Sequence, residues 1–189
     1  MLLKSIFTSE QDLIKACLKD NPQAQRALYE QYAPGFLAIC KRYMKDGDQA
    51  EDVMIEGFMK IFEKLNQFEG KGSFEGWMKK IMVRQALLDL RKKRKIDIEI
   101  NPELFLNGKL PIYETSELEA EELLKMIQEL PEGFRTVFNL YAIEGYSHKE
   151  IGDLLEISEN TSKSQLCRAR ACLQKKLAQI HVIERRIHE

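Results

Sequence analysis

The chain has 189 residues, 44% of them hydrophobic and 31% charged, with 29 Lys and Arg against 30 Asp and Glu. That balance excludes a disordered tail and a disulfide-stapled secreted fragment, and no apolar run approaches the ~18 residues of a membrane span. The net charge of -1 conceals a segregation: residues 1–95 hold eighteen Lys and Arg against thirteen acids, residues 96–133 two against ten, and residues 134–189 nine against seven. DNA responds to charge within about a Debye length, ~8 to 10 Å, so the two basic blocks count as two candidate binding surfaces.

Apolar residues recur with a helical period nearly throughout, which predicts an all-α chain. Residues 9–19 form a first helix. Asn21 and Pro22 read as a cap and a helix-opening proline for a second helix ending near Tyr43, with Pro34 and Gly35 as a point of bending. After the turn at 46–48, a third helix over 48–65 buries Val53, Phe58, Ile61, Phe62 and Leu65 and turns Glu51, Asp52, Glu56, Lys60 and Glu63 outward. A glycine-containing loop at 66–73 leads to a fourth helix over 74–95. It opens amphipathically around Trp77, Ile81, Leu87, Leu88 and Leu90 and ends in RKKRK.

Between Lys79 and Lys95 eight basic residues stand against one acid, Asp89, a density suited to phosphates. Phe68, Phe74 and Trp77 beside the loop glycines have the composition that holds unstacked bases, and equally that of a small aromatic core.

Periodicity fails over 96–116, where Pro102, Gly108 and Pro111 interrupt it, so a linker is placed there between domains at 1–95 and 117–189. Helices resume at 117, break at Pro131 and continue over 134–144. Ser147 and Glu150 then have the spacing of a capping box, and Ile151, Leu154 and Leu155 form one apolar stripe over 147–156. Ile157 fills a tight turn, Ser158 caps the next helix, and Leu166, Ala169, Leu173 and Leu177 recur behind it. The remaining face offers Asn160, Thr161, Lys163, Ser164, Gln165, Arg168 and Arg170, amide, hydroxyl and cationic donors suited to a major groove. An amphipathic hairpin with a solvated charged side fits the same pattern.

Cys17, Cys40, Cys167 and Cys172 have no metal-site spacing and each fits a helix as a small hydrophobe, pointing to a reducing compartment. FEGKGSFEG lacks the spacing of a phosphate-binding loop, and His148, His181 and His188 form no ligand cluster, so no catalytic centre, metal or cofactor is expected. The opening MLLKSIF is too short for a signal peptide, and the expected location is the cytoplasm, without membrane insertion.

Four segments in this order resemble the extracytoplasmic-function sigma factors of bacterial RNA polymerase: AEDVMIEGFMKIFEKL at 50–65, FEGKGSFEGWMKKI at 68–81, ALLDLRKKRK at 86–95, and LPEGFRTVFNLYAIEGYSHKEIGDLLEISENTSKSQLCRARACLQKKL at 130–177. The resemblance implies that Glu51, Asp52, Glu56, Phe58 and Ile61 serve docking on the largest subunit of core RNA polymerase, the latter two on the packed side or its margin. It implies that Phe68, Phe74, Trp77, Lys80, Arg84, Arg91, Lys92 and Lys93 recognise and open the minus-ten element of promoter DNA. The second helix of the C-terminal pair would read the minus-thirty-five element, and an anti-sigma factor would be an inhibitory partner. Three positions depart from the pattern. Gly57 sits inside a helix where close approach of a neighbour would explain it, Arg84 replaces the usual asparagine, and Ser162 the usual valine. A helix-turn-helix regulator that binds DNA unaided as a dimer is the competing reading.

Overall fold

The computed structural model describes residue 7, residues 9–94 and residues 120–187, and every described element is a helix, turn or loop. The expected linker at 96–116, Lys95 and the helix start at 117 lie outside the described residues, as does the side chain of Lys93. The chain divides into two compact units, Met1–Ile98 and Glu99–Glu189.

In the first unit, α1 (Glu10–Cys17), α2 (Pro22–Tyr43), α3 (Gly47–Lys64) and α4 (Phe74–Arg94) begin where local chemistry predicts. Ser9 accepts from Asp12 N, and Asn21 accepts from Gln23 N and Ala24 N ahead of Pro22 at the first helical position. Helix α2 runs through Pro34 as one element; the proline is exposed, so the carbonyl it leaves without a helical partner can meet water. Helices α2, α3 and α4 pack on one another, and α1 packs on α2.

Side-chain hydrogen bonds tie α3 to α4: Gln49 Nε2 donates to Asp89 at 2.5 Å and Gln85 Nε2 donates to Glu56 at 2.5 Å. Asp89, the one acid of the basic stretch, is thus engaged within the fold. Gly57 of α3 faces Met82 of α4. A Cβ there would collide with Met82 Sδ and lie 2.7 Å from its Cε, so any side chain at 57 would have to displace the buried end of Met82, while the glycine costs the helix ~1 kcal/mol in propensity.

In the second unit, α5 (Ala120–Gln128), α6 (Glu132–Phe138) and α7 (His148–Leu155) pack against the long α8 (Glu159–Ile187). Met126, Ile127, Leu130, Phe134, Ala169 and Leu173 form its core. The helix expected over 134–144 is α-helical only to Phe138. A π turn, Asn139–Ile143, follows, with Glu144 N donating to Asn139 O at 2.9 Å, and Gly145 at φ 78° completes the reversal. Arg135 is almost wholly buried and donates to Gln128 O at 2.9 Å, closing the end of α5; burial pushes its pKa down. Its charge serves the fold and adds nothing to a nucleic-acid surface.

Candidate nucleic-acid and partner interfaces

Six residues make the outer face of α3: Asp52, Ile55, Glu56, Met59, Lys60 and Glu63 share one side at helical spacing, all exposed. Ile55 is 49% and Met59 66% exposed, an apolar pair one turn apart with carboxylates around it. Lys60 is held by Glu63 at 2.7 Å, so the free charge of the face is acidic. This layout, apolar centre and charged rim, is that of a protein-docking surface. Glu51 flanks it, exposed. Phe58 and Ile61 point the other way at 3% and 0% exposure, with Phe58 ringed by Tyr29, Phe36 and Phe62. Both lie on the packed side of α3, as the periodicity places them, and would bear on docking only by setting the height of the helix. Ile55 and Met59, which the hydrophobic periodicity passed over, are the apolar residues that α3 leaves exposed.

A second face runs along α4, where Trp77, Lys80, Arg84, Leu88 and Arg91 fall within one side of the helix. The expected cations are therefore brought together, with Lys92 nearer α3 at 3.9 Å from Glu56. Leu88, expected inside, is 49% exposed among them. Helix α4 is covered by both α2 and α3, and Leu88 falls outside the arc that they cover.

Above the stripe, Ser73 accepts from Gly76 N at 3.2 Å and opens α4, after a loop in which Gly70 and Gly72 adopt φ of 72° and 83°. Three rings close on one another there. Phe68 lies 5.0 Å from Phe74 and 5.5 Å from Trp77, and Phe74 lies 5.9 Å from Trp77. Phe74 is 1% exposed and also meets the edge of Tyr32, so it is corrected from a base-contacting residue to the floor of the cluster. Phe68 and Trp77 keep accessible surface.

The third face belongs to the helix-turn-helix. Ser147 and Glu150 make the full capping box, Glu156 turns the chain at φ 58°, and Ser158 Oγ accepts from Thr161 N at 3.0 Å. Helix α8 buries Ser162, Leu166, Ala169 and Leu173 on one line. Asn160, Ser164, Cys167 and Arg168 stand on the opposite side, exposed. Lys163 and Arg170 flank them. Lys163 is paired with Glu159 at 2.6 Å, and Arg170 lies 5.8 Å from the ring of Tyr141. On the other flank Thr161 is tied to Ser158 at 2.8 Å and the Gln165 amide rests against Gly133, so both are half-buried. Ser162 does not face outward at all.

Cysteine chemistry divides along the same lines. Cys17 and Cys40 are buried, and burial pushes their thiols up to about 11 and about 12, so neither is a nucleophile at neutral pH. Cys167 is exposed in the middle of the outer face of α8, a correction to its reading as a small hydrophobe. Of Cys17, Cys40 and Cys167, mass-mapped maleimide labelling is expected to modify Cys167 first and to reach the other two only on unfolding.

Two family models match the chain: Sigma-70 region 2 over residues 28–96 and Sigma-70, region 4 over residues 120–173. The RNA polymerase sigma-H factor of Pseudomonas aeruginosa is 28% identical over 186 residues, covering 91% of this chain and 96% of the relative. The ECF RNA polymerase sigma factor SigW of Bacillus subtilis is 27% identical, with 87% and 94% covered. Among solved structures, the sigma factor RpoE of Bartonella quintana, crystallised with the anti-sigma factor NepR, shares the fold. Its TM-score is 0.52 at 21% identity, covering 81% of this chain and 96% of that one.

Proposed function

Because the chain belongs to the extracytoplasmic-function group of the sigma-70 family, whose members direct promoter-specific transcription, we propose a division of its work between the two units. The outer face of α3 docks on core polymerase, with Ile55 and Met59 excluding water and Asp52 and Glu56 steering toward a basic surface. The stripe of α4, with Phe68 and Trp77, engages the minus-ten element. Helix α8 reads the minus-thirty-five duplex from Asn160, Ser164 and Arg168, while Lys163 and Arg170 approach phosphates. The chemistry of RNA synthesis is the polymerase's, and the chain acts by binding, in the cytoplasm. An anti-sigma protein is its inhibitory partner, as the Bartonella quintana complex suggests by analogy.

The observation that carries this reading is the outer side of α8 over residues 160–170, where exposed amide, hydroxyl and guanidinium groups stand without a carboxylate. Arg168→Ala is expected to lower promoter-dependent transcription about tenfold, the value of a good base or phosphate contact, with core association unchanged; Asp52→Lys should do the reverse. Both are read by reconstitution with core polymerase. Equal damage by each substitution to both activities sinks the division of labour, and a promoter footprint by the chain alone at physiological salt favours the stand-alone regulator. Trp77 is the only tryptophan of the chain and reports on the other element. Its emission is expected to be quenched when the reconstituted polymerase takes up a single-stranded non-template oligonucleotide, because stacking a base is worth ~1 to 3 kcal/mol and brings it onto the ring.

A further inference from the structure

One imidazole joins the three parts of the helix-turn-helix. His148 opens α7, its ring stacks on Tyr141 of the π turn at 4.4 Å and 21°, and its Nδ1 lies 2.9 Å from Ser162 Oγ in α8. Ser162 is fully buried on the inner side of α8, two residues after Asn160 and two before Ser164. Tyr141 in turn approaches the Arg170 guanidinium at 5.8 Å.

We propose that His148 is a positioning residue for the reading helix: through Ser162 and Tyr141 it fixes the rotation of α8 about its own axis, and so the aim of Asn160, Ser164, Arg168 and Arg170. The inference rests on α8 being the helix that reads the upstream duplex. Level with the outward residues near Ser162, the inner side of α8 packs through Leu166, Ala169 and Leu173, apolar contacts that hold the helix down but tolerate a slide or a small turn; the ion pair from Lys176 to Glu129 stands about four turns further along. A hydrogen bond weakens steeply off its axis, so the bond at Ser162 supplies the angular constraint that packing lacks. Its position matters. It lies in the first turn of α8, level with the residues that would reach bases, where rotation of the helix by roughly 20 to 30° would carry an outward side chain out of hydrogen-bond geometry.

The test uses the full chain assembled with core polymerase and two duplexes, one carrying the upstream element selected by the wild-type assembly from a random pool, the other with that element scrambled. The readout is the ratio of the two affinities, with core association and thermal melting measured alongside. His148→Phe keeps a ring on Tyr141 and removes the polar atom. It is expected to lower the ratio about fivefold, the worth of one net hydrogen bond, with core association unchanged. Ser162→Ala should match it, and the double variant should lose no more than either single one, because both remove the same link. His148→Asn, which can return a polar atom near the Nδ1 position, should recover the ratio to within about twofold of wild type.

A wild-type ratio in the Phe variant, multiplying losses in the double, or an Asn variant no better than Phe overturns the inference. So does an equal loss on both duplexes that tracks a lowered melting temperature, since that is the mark of a structural contact alone. If wild-type protein itself fails to discriminate the duplexes, the assignment of α8 falls and takes this inference with it. If wild type discriminates and the variants do too, only the role of His148 falls.

Discussion

Replacing Ile55 and Met59 together with aspartate is expected to weaken association with core polymerase ~100-fold or more while the melting temperature of the chain changes little. The two side chains are 49% and 66% exposed, so the free protein gains much less from them than from a core residue. Burying each against a partner contributes ~1.5 to 3 kcal/mol, and two such anchors at the centre of a patch amount to roughly 3 to 6 kcal/mol, at 1.4 kcal/mol for each factor of ten. The substitutions also place two carboxylates where a desolvated contact should form. Co-purification with core polymerase and a competition titration against a reference sigma factor measure the effect. An unchanged affinity would move the docking surface off α3. Phe58→Ala is the contrasting case: at 3% exposure it should lower stability by ~3 to 5 kcal/mol and damage docking only by damaging the helix.

Gly152→Val is expected to unfold the second unit, or to dislocate α8, with loss of upstream-element recognition and retention of polymerase docking. A Cβ on Gly152 would stand 2.9 Å from Ile157 O and 3.7 Å from Glu159 N, both backbone atoms of the turn between α7 and α8, and Ile157 N donates back to Gly152 O at 3.1 Å. Backbone cannot rotate away as the end of a methionine can. A β-branched side chain adds two more methyl groups to that contact, and overpacking of this kind costs ~1 to 3 kcal/mol or more in a unit whose core is a handful of residues. Because the first unit has its own core, circular dichroism should show a partial loss of helix and a surviving cooperative transition. A variant that melts as wild type and still discriminates upstream duplexes would contradict the argument.

Helix starts were the most legible part of the sequence, because a cap is a local event. Ser9, Asn21, Ser147 and Ser158 each accept the backbone hydrogen bond that their position predicts. The phase of a helix about its axis was less legible. On α3 periodicity placed Phe58 and Ile61 on the buried side, where they lie, but it overlooked Ile55 and Met59, apolar residues on the exposed side. On α4 the same ambiguity put Leu88 inside, where the double cover by α2 and α3 leaves it out. Phe74 and Trp77 are alike in composition, and only the packing of Phe68 and Tyr32 separates floor from rim. Ser162 read only as a departure from the usual valine; its buried hydroxyl has a partner, His148, that lies fourteen residues away on another helix, out of reach of a local pattern. The π turn has no signature of its own, since it differs from a continuing helix by one displaced hydrogen bond.

That displaced bond constrains how this stretch of chain can change in length. A π turn holds one residue more than the α-helical turn it replaces, and removing a single residue from Asn139–Ile143 restores ordinary winding. Each residue of an α-helix advances ~100° around the axis, so such a deletion would swing Tyr141 away from the imidazole above it and separate Arg170 from its aromatic neighbour. Insertions and deletions here are therefore unlike those in a surface loop: a shortening that leaves every helix intact would still misalign the hub on which three of them meet.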